Sequence, residues 1–397
     1  MSSASPASQQ TQPAPSITSD PRYRAARRLI SSGRSADGAI EMLATLVEEA
    51  RSKYGEDSVE AAAVYYEYGN SLFRAVEKRK DDEKVIMRDG NDDKPTSTVP
   101  SSSARLISEM KPDAAADSTS HAKSYAHVDN VGDKASRNSA SPTAKANEKR
   151  DSTDEELALE LMENAFAIYD QYYDEAVDKD GNEKEDGEAS RTVAVDTSLV
   201  PWVEEQLPRV LGGIGDVLTA LGRHPDAVDA YTRKAQHLDD ALRDLSERKG
   251  DKDGEEIGLD FLRALRILCE ANILVAEALL RCPLGQDCVL SETGDVLVEA
   301  KELVDYAQGY YDQARDELQE TLYIMGRMAP KSSGDNVPEE VSREFATEKE
   351  NVCFCAQMLG GVGNLLAARD EEQEKGKTGN KSDGNGPDAK KPRVSDE

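Results

Sequence analysis

The chain has 397 residues, of which 78 are Asp or Glu and 49 are Lys or Arg, giving a formal charge of −29. Such a charge repels nucleic acid and anionic membrane and attracts basic partners, an attraction that weakens with salt. With 38% hydrophobic, 5% aromatic and 32% charged residues, the composition is thin for one core running the full length, and predicts a folded region flanked by disordered segments.

The opening "MSSASPASQQTQPAPS" has no apolar core and is not a signal peptide. Residues 1–20, rich in Ser, Pro, Gln and Thr, read as a disordered tail. Apolar stripes in "RYRAARRLISSG" and "AIEMLATLVEEARSKYG" predict two helices within 22–53, and "DSVEAAAVYYEYGNSLFRAVEKR" predicts a third from Asp57 to about Arg79. Residues 80–153 then lose all period and nearly balance their charge, with 13 acids against 12 bases. A structureless stretch of that length inside a compact unit is unusual, so it reads as a disordered insertion. Helical pattern resumes at Asp154 with "DEELALELMENAFAIYDQYYDEAV", and an acidic run, "DEAVDKDGNEKEDGE", follows as a solvated loop with eight acids and two lysines. More helices are expected over 200–248, 256–281, 294–327 and 338–372, with turn chemistry at "GRHPD", "RKGDKDG", "RCPLG" and "PKSSGDN". No segment reads as a strand, so the predicted fold class is all-α. The longest apolar stretch, "ILCEANILVAEALL", is broken by Glu270 and Glu277 and is too short and too charged to span a bilayer. The chain is expected to be soluble and intracellular.

"GGIGDV" (Gly212 to Val217) poses a choice between a phosphate-cradling loop and a helical repeat. A dinucleotide fingerprint needs three glycines between a strand and a helix. Gly213 and Gly215 could be the first two, but Leu218 holds the third place and the preceding "WVEEQLPRVL" is helical. No Gly-Lys-Ser/Thr follows either. A tetratricopeptide (TPR) unit, about 34 residues in two antiparallel helices, fits better. With Gly215 at the eighth position, Leu211 falls at the fourth, Leu218 at the eleventh, Gly222 at the turn, Ala227 at the twentieth and Tyr231 at the twenty-fourth. Lys234 departs from the template at a position that wants a small residue, with Ala235 beside it. Gly69 takes the eighth position of another unit, whose second helix, "ELALELMENAFAIY", comes only after the insertion. Ala26, Gly33 and Ala39 fit a first unit, and Ala300, Val304 and Ala307 the second helix of a last one. The fold expected is therefore a superhelix of about four repeats closed by a capping helix. Its divisions are 1–20 (tail), 21–79 (first repeat and first helix of the second), 80–153 (insertion), 154–327 (remaining repeats with the acidic loop), 328–372 (cap) and 373–397 (tail).

This layout resembles the SHNi-TPR family of histone chaperones. "KYGE" (Lys53 to Glu56) followed by "YGNSL" (Tyr68 to Leu72), the interruption between the helices of the second repeat, and "ALELMENAFAIY" (Ala158 to Tyr169) carry the resemblance, with Gly215 to Tyr231 matching the third repeat. It covers roughly 22–79 and 154–325. Two features depart from the family: its interruption is usually strongly acidic whereas this one is nearly neutral, and the fourth repeat is enlarged by "RCPLGQDCVLSETG". The resemblance implies a nuclear, ATP-independent, non-enzymatic carrier of histones, chiefly the pair H3–H4, with linker histone as a second client and no cofactor; the sequence leaves open whether the array forms a homodimer. Histones are strongly basic and bind nucleic acid through counterion release; an acidic carrier occupies those surfaces until delivery.

Under that reading the acids Asp174, Glu175, Asp178, Asp180, Glu183, Glu185, Asp186 and Glu188 are the first candidates for histone contact. First helices of repeats line the concave face, which points Tyr66, Glu67, Asn70, Phe73 and Asp216 into a groove suited to a basic helix; the alternative is that Tyr66 and Phe73 pack against neighbouring helices. Lys390, Lys391, Pro392 and Arg393 form a basic cluster of the kind that import receptors read. Cys269, Cys282, Cys288, Cys353 and Cys355 are odd in number and sparse, which fits a reducing compartment and structural or incidental thiols. His121, His127, His224 and His237 have no partner at metal or triad spacing. Trp202 is expected to pack between repeats. The rival reading is a general TPR scaffold or an adaptor for a basic client; a co-chaperone holding an acidic C-terminus would need a basic groove, which these repeats lack.

Overall fold

The computed structural model describes residues 14–32, 36–88, 143–181, 197–250, 258–291, 293–328 and 339–379. Among them lie nine α-helices: α1 (Pro21–Ser32), α2 (Ala36–Tyr54), α3 (Val59–Arg88), α4 (Thr143–Gly181), α5 (Val200–Ala220), α6 (His224–Gly250), α7 (Leu259–Arg281), α8 (Leu303–Met328) and α9 (Glu339–Gly379). The chain is mostly helical, as its periodicity predicts. The exception is an antiparallel hairpin, β1 (Cys288–Val289) with β2 (Val296–Val298), where no strand was expected. β2 and the turn through Ala300 replace the start of the helix read over 294–327. Val296 and Val298 favour a pleated backbone. Gly294, at φ +73°, turns the chain there, and its N–H donates to Leu290 O at 3.0 Å.

By its contacts the chain divides into two compact units, one spanning Pro15–Ala165 and the other built from Phe166 onward, with the boundary inside α4. In the first unit, Gly55 ends α2 at φ +100°. Ser58 caps α3, its Oγ accepting from the Ala61 N–H at 3.1 Å. The core joins Tyr23, Ala26 and Ile30 of α1 to Leu43 and Leu46 of α2 and to Ala61, Ala62, Val64 and Val76 of α3, all buried. α3 meets α4 at Gly69, where a Cβ would stand 2.8 Å from the Ala158 carbonyl oxygen. Only glycine admits that approach.

α3 runs on to Arg88 and α4 starts at Thr143, so helix extends into both ends of the segment read as unstructured. Lys78 and Asp82, and Arg79 and Glu83, are opposite charges four residues apart, and no glycine or proline interrupts before Gly90. Arg79 pairs with Asp154 at 2.8 Å and Lys80 with Glu155 at 2.6 Å, tying the two helices together. Residues 89–142 lie outside the described residues.

In the second unit "GGIGDV" sits inside α5 with Gly212, Gly213 and Gly215 buried, so it forms no phosphate loop. Pro201 starts α5 and a Schellman turn ends it: Gly222 takes φ +75° and the Arg223 N–H donates to Leu218 O at 2.9 Å. A Cβ on Gly215 would fall 2.7 Å from Tyr231 Cδ1 and Cζ, so α5 and α6 touch there. Lys234 lies against the other small position: it is buried, its Nζ is 3.8 Å from Glu270 of α7, and a Cβ on Gly212 would meet that Nζ at 3.2 Å. The bare glycine opposite makes room for the lysine stem. Trp202 packs edge-on to Tyr169, with ring centroids 5.7 Å apart.

α9 packs on α7 and α8 through Val352, Cys355, Met358, Leu359, Val362 and Leu366. Glu348, 3% exposed, accepts from Arg263 at 3.1 Å and Arg266 at 2.8 Å on α7. Asn351 to Ala368 carry no charge at all, which makes this, and not the stretch in α7, the longest uncharged helical run. By length and composition Ser342–Glu372 meets the measure for crossing a membrane. One such helix is weak evidence of a span, and this one docks its apolar side on protein.

Candidate functional site

The expected acidic loop is in part a helix. α4 continues to Gly181, so Asp174 and Glu175 stand on its last turns, both exposed, and Asp178 and Asp180 follow on helical backbone. Glu183, Glu185, Asp186 and Glu188 lie outside the described residues. Carboxylates near a helix C-terminus oppose its dipole, yet the apolar stripe persists: Tyr169 and Ala176 are buried, seven residues apart on one face. Packing of that stripe holds the helix against the charge.

The fold brings further acids to this end of α4. Tyr173 lies beside Glu204 of α5 and within electrostatic reach of Asp240 and Asp244 of α6; burial, and then those carboxylates, push its phenol above the usual value. His237 of α6 is within electrostatic reach of Asp170 and Asp240, and burial, with Arg233, holds its pKa below the usual value despite them. Glu204, Asp239, Asp240 and Asp244 are exposed. Two arginines answer them. Arg233 lies 3.9 Å from Asp170 and 4.4 Å from the centroid of the Phe166 ring, and Arg243 pairs with Asp239 at 3.0 Å and Asp240 at 3.2 Å. What results is a carboxylate-dominated face on α4, α5 and α6 with aromatic rings beneath it. Reading the sequence for acidic runs misses Glu204, Asp240 and Asp244, because on helices they are spaced by turns. The signal that finds them is helical spacing: Asp240 and Asp244 are four apart in "HLDDALRDLSE".

The five groove candidates lie inside the fold. Tyr66, Glu67, Asn70, Phe73 and Asp216 are all buried, between 2% and 6% exposed. Glu67 pairs with Arg27 of α1 at 3.0 Å, Asn70 Oδ1 accepts from Arg74 Nε at 3.2 Å, and Asp216 accepts from the Tyr231 hydroxyl at 2.7 Å. The reason for α3 is that α1, α2 and α4 cover it on several sides, which leaves no open face at these positions. Their polar groups are spent on internal partners. The basic cluster Lys390, Lys391, Pro392 and Arg393 lies outside the described residues.

No protein-family model matches the chain, and no curated protein matches it.

Proposed function

We propose that this chain is a histone chaperone: a nuclear, ATP-independent carrier that binds H3–H4, with linker histone as a second client, and that contributes no catalytic step. The observation that carries the reading is the acidic face of α4, α5 and α6, where Asp174, Glu175, Glu204, Asp240 and Asp244 are exposed. Clustered carboxylates supply the long-range attraction that a histone surface, evolved to neutralise phosphates, answers. The chain's formal charge of −29 supports the same sign of partner.

The finer fold reading belongs to the same proposal. α1–α2, α3–α4, α5–α6 and α7–α8 are four TPR units, the second interrupted by residues 89–142, and α9 is the cap. Its support is the pair of close helix approaches at Gly69 and Gly215, the two glycines that the repeat template sets at its eighth position. Lys390 to Arg393 serve as the import signal.

The test is a titration of the full chain with H3–H4 at near-physiological salt. Beside it run a deletion of 174–188 and the combined variant Glu204→Gln, Asp240→Asn, Asp244→Asn. Saturable binding that both variants weaken, and that falls as salt rises, supports the reading and locates the contact. Binding no tighter than that of an unrelated protein of equal charge removes the chaperone reading.

A further inference from the structure

The loop that carries α7 into the hairpin brings two thiols together. Cys282 is the C-cap of α7, and Cys288 opens β1. Their Sγ atoms are 3.9 Å apart, and the residues are 2% and 0% exposed. The residues between them, Pro283 to Asp287, are all exposed, and Gly285 turns them at φ +74°. The backbone on both sides is fixed. Arg369 of α9 donates to Cys282 O at 3.1 Å and, through Nε, to Leu280 O at 3.0 Å. Asp287 accepts from the Ala300 N–H at 2.8 Å, and the Ser291 N–H donates to Asp226 of α6 at 2.7 Å. Two sulfurs are thus held face to face beneath a short exposed turn, and opening of that turn alone admits a small molecule.

We propose that Cys282 and Cys288 form an oxidisable dithiol, a modification site that a small-molecule disulfide closes into an intraloop disulfide. Cys282 is the attacking group. When it ionises, the Cys288 S–H donates to the thiolate and Arg369 adds positive charge nearby; together they hold the Cys282 thiol below its usual value against the opposing effect of burial. The same hydrogen bond keeps the Cys288 proton in place and pushes that thiol up. The Cys282 thiolate attacks one sulfur of the small disulfide, forms a mixed disulfide and expels one small thiolate, which takes up the proton that Cys282 lost. Cys288 then gives up its proton and attacks Cys282 Sγ, and the second small thiolate leaves with that proton. Two protein thiols lose two electrons, and the small disulfide becomes two thiols. The sulfurs close from 3.9 Å to a bond of about 2.0 Å by side-chain rotation at the two ends of the turn.

The experiment equilibrates the full chain in mixtures of reduced and oxidised glutathione, quenches with acid, alkylates the remaining thiols and digests with trypsin. Cleavage after Arg281 and Lys301 leaves Cys282 and Cys288 on one peptide that holds no other cysteine. Cys353, the exposed thiol of α9, is the internal reference. As the oxidised share rises, alkylation of the 282–301 peptide is expected to fall about tenfold, and the peptide to lose two hydrogen atoms, while Cys353 alkylation changes less than about twofold. Cys288→Ser is expected to stop at glutathione bound to Cys282, and Cys282→Ser to leave Cys288 alkylatable. The proposal is overturned if the pair stays alkylatable in mixtures that already modify Cys353, or if Cys288→Ser carries no glutathione on Cys282. The wild-type mass measurement stands by itself should a variant fold poorly, and none of these outcomes depends on histone binding.

Discussion

Gly215→Ala sets helix propensity against packing, and the structure decides which wins. Alanine is worth about 1 kcal/mol more than glycine inside a helix. Here, however, the new Cβ would stand 2.7 Å from Tyr231 Cδ1 and Cζ and closer still to Cε1. Tyr231 is 2% exposed, and its hydroxyl donates to Asp216 at 2.7 Å, one residue along the same helix. The ring cannot swing aside without breaking that bond, and cannot stay without pushing α6 away. Overpacking costs about 1–3 kcal/mol. Stranding buried Asp216 costs about 1–3 kcal/mol more. Set against the propensity gain, the net is a loss of about 3 kcal/mol. With a urea slope of about 2 kcal/mol per molar, the midpoint falls by about 1.5 M. Trp202, the only tryptophan in the chain, reports the transition from the same unit. Gly360→Ala on α9 is the control: nothing lies within 4 Å of its Cβ. It is expected to stabilise by about 0.5–1 kcal/mol. A Gly215→Ala midpoint at or above wild type, or both alanines moving the midpoint the same way, would refute the packing argument.

Three further outcomes follow from buried polar groups. Tyr231→Phe keeps the ring but leaves Asp216 short of a donor, and is expected to cost about 1–3 kcal/mol in the same urea assay. Glu348→Ala removes one of the two carboxylates that Arg266 pairs with, leaving it Glu270 alone. A loss of about 1–3 kcal/mol is expected, and hydrogen exchange should show α9 losing protection before α5 does. Burial pushes the Glu317 carboxyl up to about 7 from 4.5, against hydrogen bonds from Asn272 and Gln313 and with Asp239 and Glu320 nearby. The folded state therefore holds that proton more tightly than the unfolded one, and the stability it contributes is full below about 4.5 and lost as pH rises toward 7. Glu317→Gln removes this loss, so its urea midpoint relative to wild type should climb between pH 5 and 7 and level off above; a constant offset across that range would contradict the assignment.

Most of the helical architecture was legible because it rests on periodicity, which a sequence displays directly. α5, α6 and α7 each bury an apolar stripe spaced by turns, and Gly215 could be matched to Tyr231 sixteen residues on because a repeat template fixes which side chains meet. The hairpin was not legible. β1 is two residues long and β2 three, too short for alternation to emerge, and what holds them is nonlocal: Asp226 of α6 accepting the Ser291 N–H, and Cys288 paired with Val298. The apolar run of α9 is hard to see in the sequence for a related reason. Gly360, Gly361 and Gly363 dilute its hydropathy to the eye, although it carries no charge from Asn351 to Ala368.

The candidate site shows the same limit from another side. A run such as Asp174 to Glu188 is visible because its acids are adjacent in the chain, but adjacency is a poor guide to a helical surface, where neighbours stand three or four residues apart and on other helices. Glu204, Asp240 and Asp244 belong to the face only because α5 and α6 pack beside the end of α4 and bring their charges to Tyr173. For Tyr66, Glu67, Asn70 and Phe73, template position says which way a residue points from its own helix and not whether another helix stands there. Arg27, reaching from α1 to Glu67 at 3.0 Å, fills that direction. A charge buried against its own counter-ion has no attraction left for a client. The acids of α4, α5 and α6 are exposed, Arg243 answering Asp239 and Asp240, and on this face, rather than on the interior of α3, the proposed binding of a basic partner is to be sought.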